Sequence, residues 1–256
     1  MRLSTDLDDL GHGIFLPAAG GLRRFTVWYA PRFVTRRAAA RIHAGEPSPS
    51  RATWLLHLRR ALSRALPGLF DAEPGDCIVR VRADALHLDV GERFARDVAL
   101  QLPLIARDLD LTVFDGGARE LMQPVRASDA RTLEDALTEL EPDACVVVEG
   151  GLDDRLYVQA FVEGPRGARR LALEAVSSSF LPPTLRLSSE AHEALRYLGW
   201  CPAGESCPNH HATRPHATAG GRRAAAHLLS RTLMDAYGFA AGSVLSLRLL
   251  SLSRDG

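Results

Sequence analysis

Two cysteines and three histidines lie close together in the C-terminal half of the sequence, and these residue types suggest a zinc site. Cys201, Cys207, His210, His211 and His216 fall within one segment of sixteen residues. Thiolate and imidazole groups are the ligands that tetrahedral zinc prefers. The standard C-x2-C and H-x3-H spacings are missing, so we expect a histidine-rich loop without a metal ion. Zinc held by Cys201, Cys207, His210 and His216 stays the alternative.

A second group of polar residues resembles a phosphatase motif. Asp108, Asp110 and Thr112 resemble the D-x-D-x-T loop of haloacid-dehalogenase-type phosphatases, whose first aspartate attacks phosphorus and whose second acts as acid and base. That loop follows a buried strand, whereas residues 102–109 have helical spacing, and Leu111 replaces the usual glycine. We therefore expect a helix that ends in solvated aspartates. A phosphatase-like hydrolase using Asp108 and Asp110 stays the alternative.

Other motifs of catalysis and cofactor binding are missing from the sequence. It contains no G-x-S-x-G elbow, no dinucleotide or phosphate loop and no H-E-x-x-H zinc motif. The sequence also has no lysine, which excludes a lysine Schiff base and a phosphate-loop lysine. We therefore predict a protein that is not an enzyme and needs no cofactor.

Composition narrows the partners and the compartment. The 256 residues include 31 basic and 31 acidic side chains, so there is no net charge to attract nucleic acid or an anionic membrane. No apolar run is long enough to span a bilayer, and the acidic N-terminus does not resemble a signal peptide. Four cysteines do not make a disulfide framework at this length. We expect a cytoplasmic protein that contacts neither nucleic acid nor membrane.

Hydrophobic periodicity and turn residues predict an α+β protein of two small modules. Residues 1–20 are expected to be a leader, and residues 21–123 an N-terminal module of order β-α-α-β-β-α-β-β. The elements predicted for this module are a strand over 22–29, helices over 34–44 and 51–66, a hairpin of 77–82 and 86–90, a helix over 91–109, and strands over 111–114 and 121–122. A linker is expected over 123–128, because its Gln-Pro sequence interrupts the pattern.

The second module is predicted over residues 129–250, with the order α-βββ-α-α. Its predicted elements are a helix over 129–140, strands over 144–149, 155–163 and 169–177, a helix over 188–198, a loop over 201–220 and a helix over 221–237. Gly150-Gly151 and Gly164-Pro165 supply short turns between the strands. Such short connections favour an antiparallel meander.

The meander has two chemically different faces. Leu156, Val158, Ala160 and Val162 alternate with Tyr157, Gln159, Phe161 and Glu163. The aliphatic face should pack on helices. The opposite face combines aromatic area with polar neighbours and includes Glu174 of the next strand. It is either an ordinary half-exposed sheet face or a surface for a ligand or partner.

The same region resembles a known family. The motifs that carry the resemblance are, in order, LEAVSSSFLPP at 173–183, RLSSE at 186–190, LRYLGW at 195–200, Pro208-Asn209, and the helix AAAHLLSRTLMDAYG at 224–238. They look like the actinobacterial domain related to type III secretion chaperones and YbjN proteins. The N-terminal half is similar, through residues 25–31, 66–69 and 106–115, to an actinobacterial domain of unknown function, which implies no activity.

This resemblance implies a chaperone-like protein that binds a peptide or protein client without catalysis, and it implies a homodimer. A client in extended conformation would be held by strand addition and apolar pockets. The residues expected to contact it are Tyr157, Gln159, Phe161, Glu174, Phe180, Trp200 and Asn209. His210 and His211 stand where relatives tend to have an aromatic residue after Pro-Asn. A structural or immunity-type adaptor stays a further alternative.

Overall fold

The structure, a computed structural model, describes residues 22–28, 39, 44, 55–67, 69, 77–82, 85–118, 120–150, 155–165, 167–205 and 207–251. The chain divides into two compact units, Met1–Gln123 and Pro124–Gly256. The predicted leader lies outside the described residues, and so does the predicted helix over 34–44 apart from two isolated positions. Helices and antiparallel strands occur together, which confirms the α+β class.

The N-terminal unit contains five strands and two helices among its described residues. They are β1 (Arg23–Trp28), α1 (Leu55–Ala65), β2 (Cys77–Arg82), β3 (Ala85–Val90), α2 (Glu92–Asp108), β4 (Thr112–Asp115) and β5 (Glu120–Arg126), whose last three residues follow the division at Gln123. The strands follow the order β2-β3-β1-β4-β5 and pair antiparallel. The hairpin of β2 and β3 is formed as predicted.

Apolar side chains of the N-terminal unit pack on one face of this sheet. Leu58 and Leu62 of α1 and Val98 and Leu102 of α2 are fully buried, at the helical spacing seen in the sequence. They belong to one core with Phe25 and other strand residues. Burial of this apolar surface is the main force that holds the unit together.

Two buried carboxylates in the N-terminal sheet are neutralised by arginine. Asp89 on β3 accepts from Arg24 Nε at 2.5 Å and from Arg80 Nη1 at 2.7 Å. Asp115 at the end of β4 is paired with Arg23 and also accepts from the main chain of the following turn. A buried carboxylate without such partners would cost several kcal/mol, on the order of its desolvation penalty.

The linker predicted at residues 123–128 is wrong for its first four positions. Strand β5 continues through Pro124 to Arg126, and only Ala127 and Ser128 form a turn. Proline cannot donate to a strand ladder, so its presence favours a break in the pattern. A strand tolerates proline where that position requires no donor, so the sequence alone did not fix the end of β5.

The C-terminal unit contains α3 (Ala130–Thr138), β6 (Ala144–Gly150), β7 (Leu156–Glu163), β8 (Arg170–Ala175), α4 (Ser189–Tyr197), β9 (His210–Pro215), α5 (Ala219–Arg231) and β10 (Val244–Ser251). A π-helical segment, Thr232–Ala236, extends α5. The strands follow the order β10-β6-β7-β8-β9, and all four neighbouring pairs are antiparallel. The predicted meander of three strands is therefore confirmed as β6-β7-β8.

The predicted order α-βββ-α-α omits two strands of this unit. Strand β9 lies inside the segment that was predicted to be a loop, because its histidines, its proline and its glycine-rich surroundings do not follow a strand pattern. Strand β10 follows the last helix and was not predicted. Its alternation of Leu245, Leu247 and Leu249 with polar residues is nevertheless a readable strand signal.

Local sequence explains where the helices of this unit begin. Asp129, Ser188 and Thr218 precede α3, α4 and α5, and each side chain accepts a hydrogen bond from a main-chain N–H of the first turn. Helix α5 begins close to β9. The approach is so close that a Cβ atom placed on the buried Gly221 would collide with the main-chain carbonyl of Pro215. Glycine is thus required where helix and strand approach each other most closely.

Candidate functional site

The sheet of the C-terminal unit has one largely apolar face. Its side chains are buried against the helical side of the unit, where α5 contacts β8 and β9 and the π-helical segment contacts β7. The residues of this face include Val146, Val148, Val158, Ala160, Leu171, Leu173 and Leu247. This agrees with the aliphatic alternation in the sequence and fixes which side chains point the other way.

We call the opposite side the open face, because its longer side chains keep intermediate exposure. Residues paired directly across antiparallel strands share a face, so the register defines its members. They are Ser246, Arg248 and Leu250 on β10, Cys145, Val147 and Glu149 on β6, Tyr157, Gln159, Phe161 and Glu163 on β7, Arg170, Ala172 and Glu174 on β8, and His211, Thr213 and Pro215 on β9. The shorter side chains, such as Val147 and Ala172, are buried between the longer ones.

Glu174 lies in the middle of the open face and is held by two amides. Gln159 Nε2 donates to Glu174 Oε2 at 2.8 Å, and Asn209 Nδ2 donates to the same oxygen at 2.9 Å. Both donors are neutral. Among the residues that the structure describes, no arginine or histidine forms an ion pair with this carboxylate. The carboxylate is therefore oriented without being neutralised.

Asn209 fastens the start of β9 to the open face. It is 6% exposed, accepts from the Ser177 main-chain N–H at 3.2 Å and donates to the Tyr157 hydroxyl at 3.1 Å. The neighbouring Pro208 carbonyl accepts from the Ser177 hydroxyl at 2.7 Å. The Pro-Asn pair thus acts as a clamp between β9 and the end of β8, and it positions two side chains of the face.

Tyr157 is held through its side-chain hydroxyl and through its main-chain carbonyl. Its carbonyl accepts at 3.2 Å from the hydroxyl of Tyr237, which also donates to the carbonyl of Val176. Burial raises the pKa of Tyr237. Burial also raises the pKa of Tyr157. The hydrogen bond from Asn209 opposes this increase, and the negative charge of Glu174 adds a smaller one. Both phenols are therefore neutral hydrogen-bonding groups near neutral pH.

Trp200 and Phe180 do not join this face. Trp200 is 4% exposed and donates from Nε1 to Thr232 Oγ1 at 2.8 Å, so it fills the core beneath the helices. Phe180 is 53% exposed in the 3-10 turn Ser178–Phe180, outside the sheet. Of the seven residues expected to contact a client, Tyr157, Gln159, Phe161 and Glu174 share the open face, Asn209 supports them, and these two lie elsewhere.

The outer edge of β9 is partly blocked against a further strand. Cys201 and His211 exchange two main-chain hydrogen bonds, of 2.8 and 3.1 Å, which occupy the outward groups of His211. The next outward position in an antiparallel ladder is Thr213, and its carbonyl accepts from Arg214 Nη1 at 2.8 Å. Pro215 follows and has no N–H. Such blocked edges protect a sheet against pairing with other chains.

The four ligands of the zinc alternative are not brought together. Cys201 is exposed beside the β9 edge, whereas His210 points to the apolar face and meets His192 with ring centroids 5.5 Å apart. Burial and the neighbouring histidines lower the pKa of His210. Among the described residues, no group of three His, Cys, Asp or Glu side chains could hold a metal ion.

Asp108 and Asp110 lie at the end of α2, as the helical spacing predicts. The Asp108 side chain is 74% exposed, and Asp110 is an exposed turn residue with a positive φ of 59°. The helix is followed by Leu111 and β4 rather than preceded by a strand that ends at these aspartates. The phosphatase alternative thus lacks the structural context of its motif.

An antiparallel sheet with helices on one side and a polar-aromatic open face defines the C-terminal unit as an α+β domain. Residues 129–251 match the family TY-Chap3, described as the T3SS (YopN, CesT) and YbjN peptide-binding chaperone 3. The resemblance found in the sequence is therefore confirmed for the C-terminal half. No curated protein and no solved structure gave a significant match. No helix among the described residues is long and apolar enough to cross a membrane.

Sequence reasoning missed several members of the open face. Val147 and Cys145 were not assigned to a face, although they alternate with the fully buried residues of β6. Arg248 and His211 were missed because β10 and β9 were not predicted. The alternating leucines of β10 could have revealed Arg248, whereas nothing in the histidine-rich segment indicated the register of His211.

Proposed function

We propose that the C-terminal unit is a chaperone-like module that binds extended polypeptide segments, without catalysis, on the open face. The observation that carries this proposal is the shared position of Tyr157, Gln159, Phe161 and Glu174 on one half-exposed sheet surface. The match to a family of peptide-binding chaperones supports it. Aromatic side chains with polar neighbours are typical of binding surfaces.

The proposed contact is made by side chains of the face and not by strand addition at β9. Strand addition needs a row of unpaired main-chain groups. On β9 both groups of His211 are occupied, the Thr213 carbonyl accepts from Arg214, and Pro215 has no N–H. The face instead offers an apolar strip around Phe161, formed with Leu250, Cys145 and Ala172, beside the polar strip of Gln159 and Glu174.

Preorganisation favours this surface for binding. Glu174, Gln159 and Tyr157 are already linked through Asn209, so a client does not have to order them. Each rotamer-rich side chain that is ordered on binding costs about 0.5–1.5 kcal/mol. A face that is fixed before the client arrives avoids much of that cost.

A peptide array provides the test. Short overlapping peptides that cover β-casein, an unfolded polypeptide, are probed with the full chain and with two variants. Phe161→Thr removes the aromatic side chain from the open face and keeps a strand-forming residue, whereas Tyr197→Gln removes an aromatic side chain that is 89% exposed on α4. We expect retention of a subset of peptides by the wild type and by Tyr197→Gln, and their loss with Phe161→Thr.

Failure of the wild type to retain any peptide would contradict the proposal and favour the adaptor alternative, in which only a folded partner binds. Equal loss in both variants would place the contact outside the open face. Light scattering on the same samples tests the homodimer, which stays a prediction, as do the cytoplasmic location and the lack of nucleic-acid binding.

A further inference from the structure

Only one of the two carboxylate oxygens of Glu174 accepts hydrogen bonds from the described residues. Gln159 and Asn209 both donate to Oε2, and no described residue donates to Oε1. The residue keeps intermediate exposure, and Oε1 is not one of the fully buried polar atoms without a partner. The pair of amides fixes the orientation of the carboxylate while its negative charge remains.

Among the described residues, the basic side chains of the open face, Arg170, Arg248 and His211, form no ion pair or hydrogen bond with Glu174. Arg248 Nη1 donates to Glu149 Oε1 at 3.1 Å, on the part of the same face that β10 and β6 form. The influence of the Glu174 charge reaches the surrounding face, because it contributes to the raised pKa of Cys145, after burial as the main cause. A client that covers this surface must therefore accommodate a negative charge.

Building on the proposed function, we propose that Glu174 selects clients with a basic side chain and that arginine suits it best. An apolar client residue over Glu174 would leave a desolvated carboxylate without a cation, which is costly. A guanidinium group carries the opposite charge and donates along fixed directions to a carboxylate oxygen. Oε1 is the acceptor for it.

The register also fixes where the neighbouring client residue lies. Phe161 is directly opposite Ala172, so Glu174 is its diagonal neighbour on the adjacent strand. Such diagonal positions are about 7–8 Å apart. Residues i and i+2 of an extended chain are separated by roughly the same distance and point to the same side. The preferred client therefore carries an apolar residue and an arginine two positions apart.

Matched peptides test this selection on the full chain. The probes are fluorescent Ser/Gly peptides that contain Phe-Ser-Arg, the same sequence with citrulline, a neutral isostere of arginine, or a version with arginine moved next to phenylalanine. Fluorescence anisotropy measures binding to the wild type, to Glu174→Gln and to Glu193→Gln. The last variant removes the same charge from α4, where the Glu193 side chain is 72% exposed.

We expect the wild type and Glu193→Gln to bind the Phe-Ser-Arg peptide roughly five- to tenfold more tightly than the citrulline peptide. Glu174→Gln should bind both equally, and circular dichroism should show that it remains folded, because glutamine keeps an acceptor oxygen for Gln159 and Asn209. Moving the arginine should also weaken binding to the wild type.

Equal binding of the arginine and citrulline peptides by the wild type would overturn the selection by Glu174 and leave peptide binding on the open face intact. Loss of the preference in both glutamate variants would overturn it as well, because a general charge effect would then explain the result. If no probe binds and the wild type also retains no peptide of the array, the proposed function itself fails.

Discussion

Replacing Asn209 tests whether the Pro-Asn clamp organises the open face. Asn209→Ala removes the acceptor of the buried Ser177 N–H and the donor to Glu174 Oε2, together with the bond to the Tyr157 hydroxyl. Because Asn209 is 6% exposed, water has little access to replace these partners in an otherwise unchanged fold. The variant should therefore lose stability and also the fixed positions of Glu174 and Tyr157.

The expected loss in the free energy of unfolding follows from the individual contacts of Asn209. An orphaned buried N–H costs about 1–3 kcal/mol, and a hydrogen bond to a charged group contributes a similar amount. The loss at Glu174 is smaller, because Gln159 still donates to Oε2 and the residue is partly exposed. We expect a decrease of about 2–3 kcal/mol in the free energy of unfolding.

Asn209→Asp is a second variant that tests the same contacts. Its carboxylate still accepts from Ser177, but it places a second negative charge where Nδ2 stands 2.9 Å from Glu174 Oε2. Like charges at this distance raise the pKa of one carboxyl group. The aspartate variant should be less stable than the alanine variant near pH 7, and this difference should shrink as the pH is lowered, because the folded form then binds a shared proton.

Urea unfolding of the full chain, followed by fluorescence and circular dichroism, measures both variants. The transition of the C-terminal unit is compared with that of the N-terminal unit in the same samples. A decrease below about 0.5 kcal/mol for Asn209→Ala, the size of an ordinary surface substitution, would refute the clamp. So would an aspartate variant that matches alanine at every pH.

Three further predictions concern helix packing, histidine and cysteine. Gly221→Ala should destabilise the C-terminal unit by about 3 kcal/mol or more, because the new Cβ meets the Pro215 carbonyl; an unchanged urea midpoint would show that α5 does not approach β9 as described. Burial and two neighbouring histidines lower the pKa of His210, so the unfolded chain binds this proton more tightly and stability should fall as the pH drops below about 6.5. His210→Gln should flatten that dependence in unfolding measured across pH, and an unaltered slope would assign it to other groups. Iodoacetamide should label the exposed Cys201 long before Cys145, since burial raises the pKa of Cys145 to about 12, and peptide mass spectrometry showing the reverse order would be inconsistent with a buried β6 thiol.

The sequence predicted the elements that have strong periodicity. Helix α2 and strands β2 and β7 were placed to within about two residues, because their apolar side chains recur at helical or strand spacing. The α+β class and the meander followed from these elements. The resemblance to the secretion-chaperone family rested on motifs whose partners are now visible: the tryptophan of Leu-Gly-Trp bonds Thr232, and the asparagine of Pro-Asn bonds Glu174.

The rest depended on pairing between distant segments. Strand β9 has little strand propensity of its own and is formed because β8 offers it a ladder, while α5 covers it. Trp200 was expected to contact a client, but its indole is more favourably buried against the π-helical segment. The candidate site was thus half predictable: alternation gave the face of β7 and β8, whereas its support by Asn209 required the fold.

Photo-cross-linking tests the central claim most directly. A peptide retained in the array is synthesised with benzoylphenylalanine at its apolar position, irradiated with the full chain, and the cross-linked residues are mapped by mass spectrometry. Binding on the open face predicts adducts at its half-exposed apolar side chains, Phe161 on β7 and Leu250 on β10, and their loss in Phe161→Thr. Adducts confined to the outer edge of β9, to the exposed surface of α4 or to the N-terminal unit would contradict it.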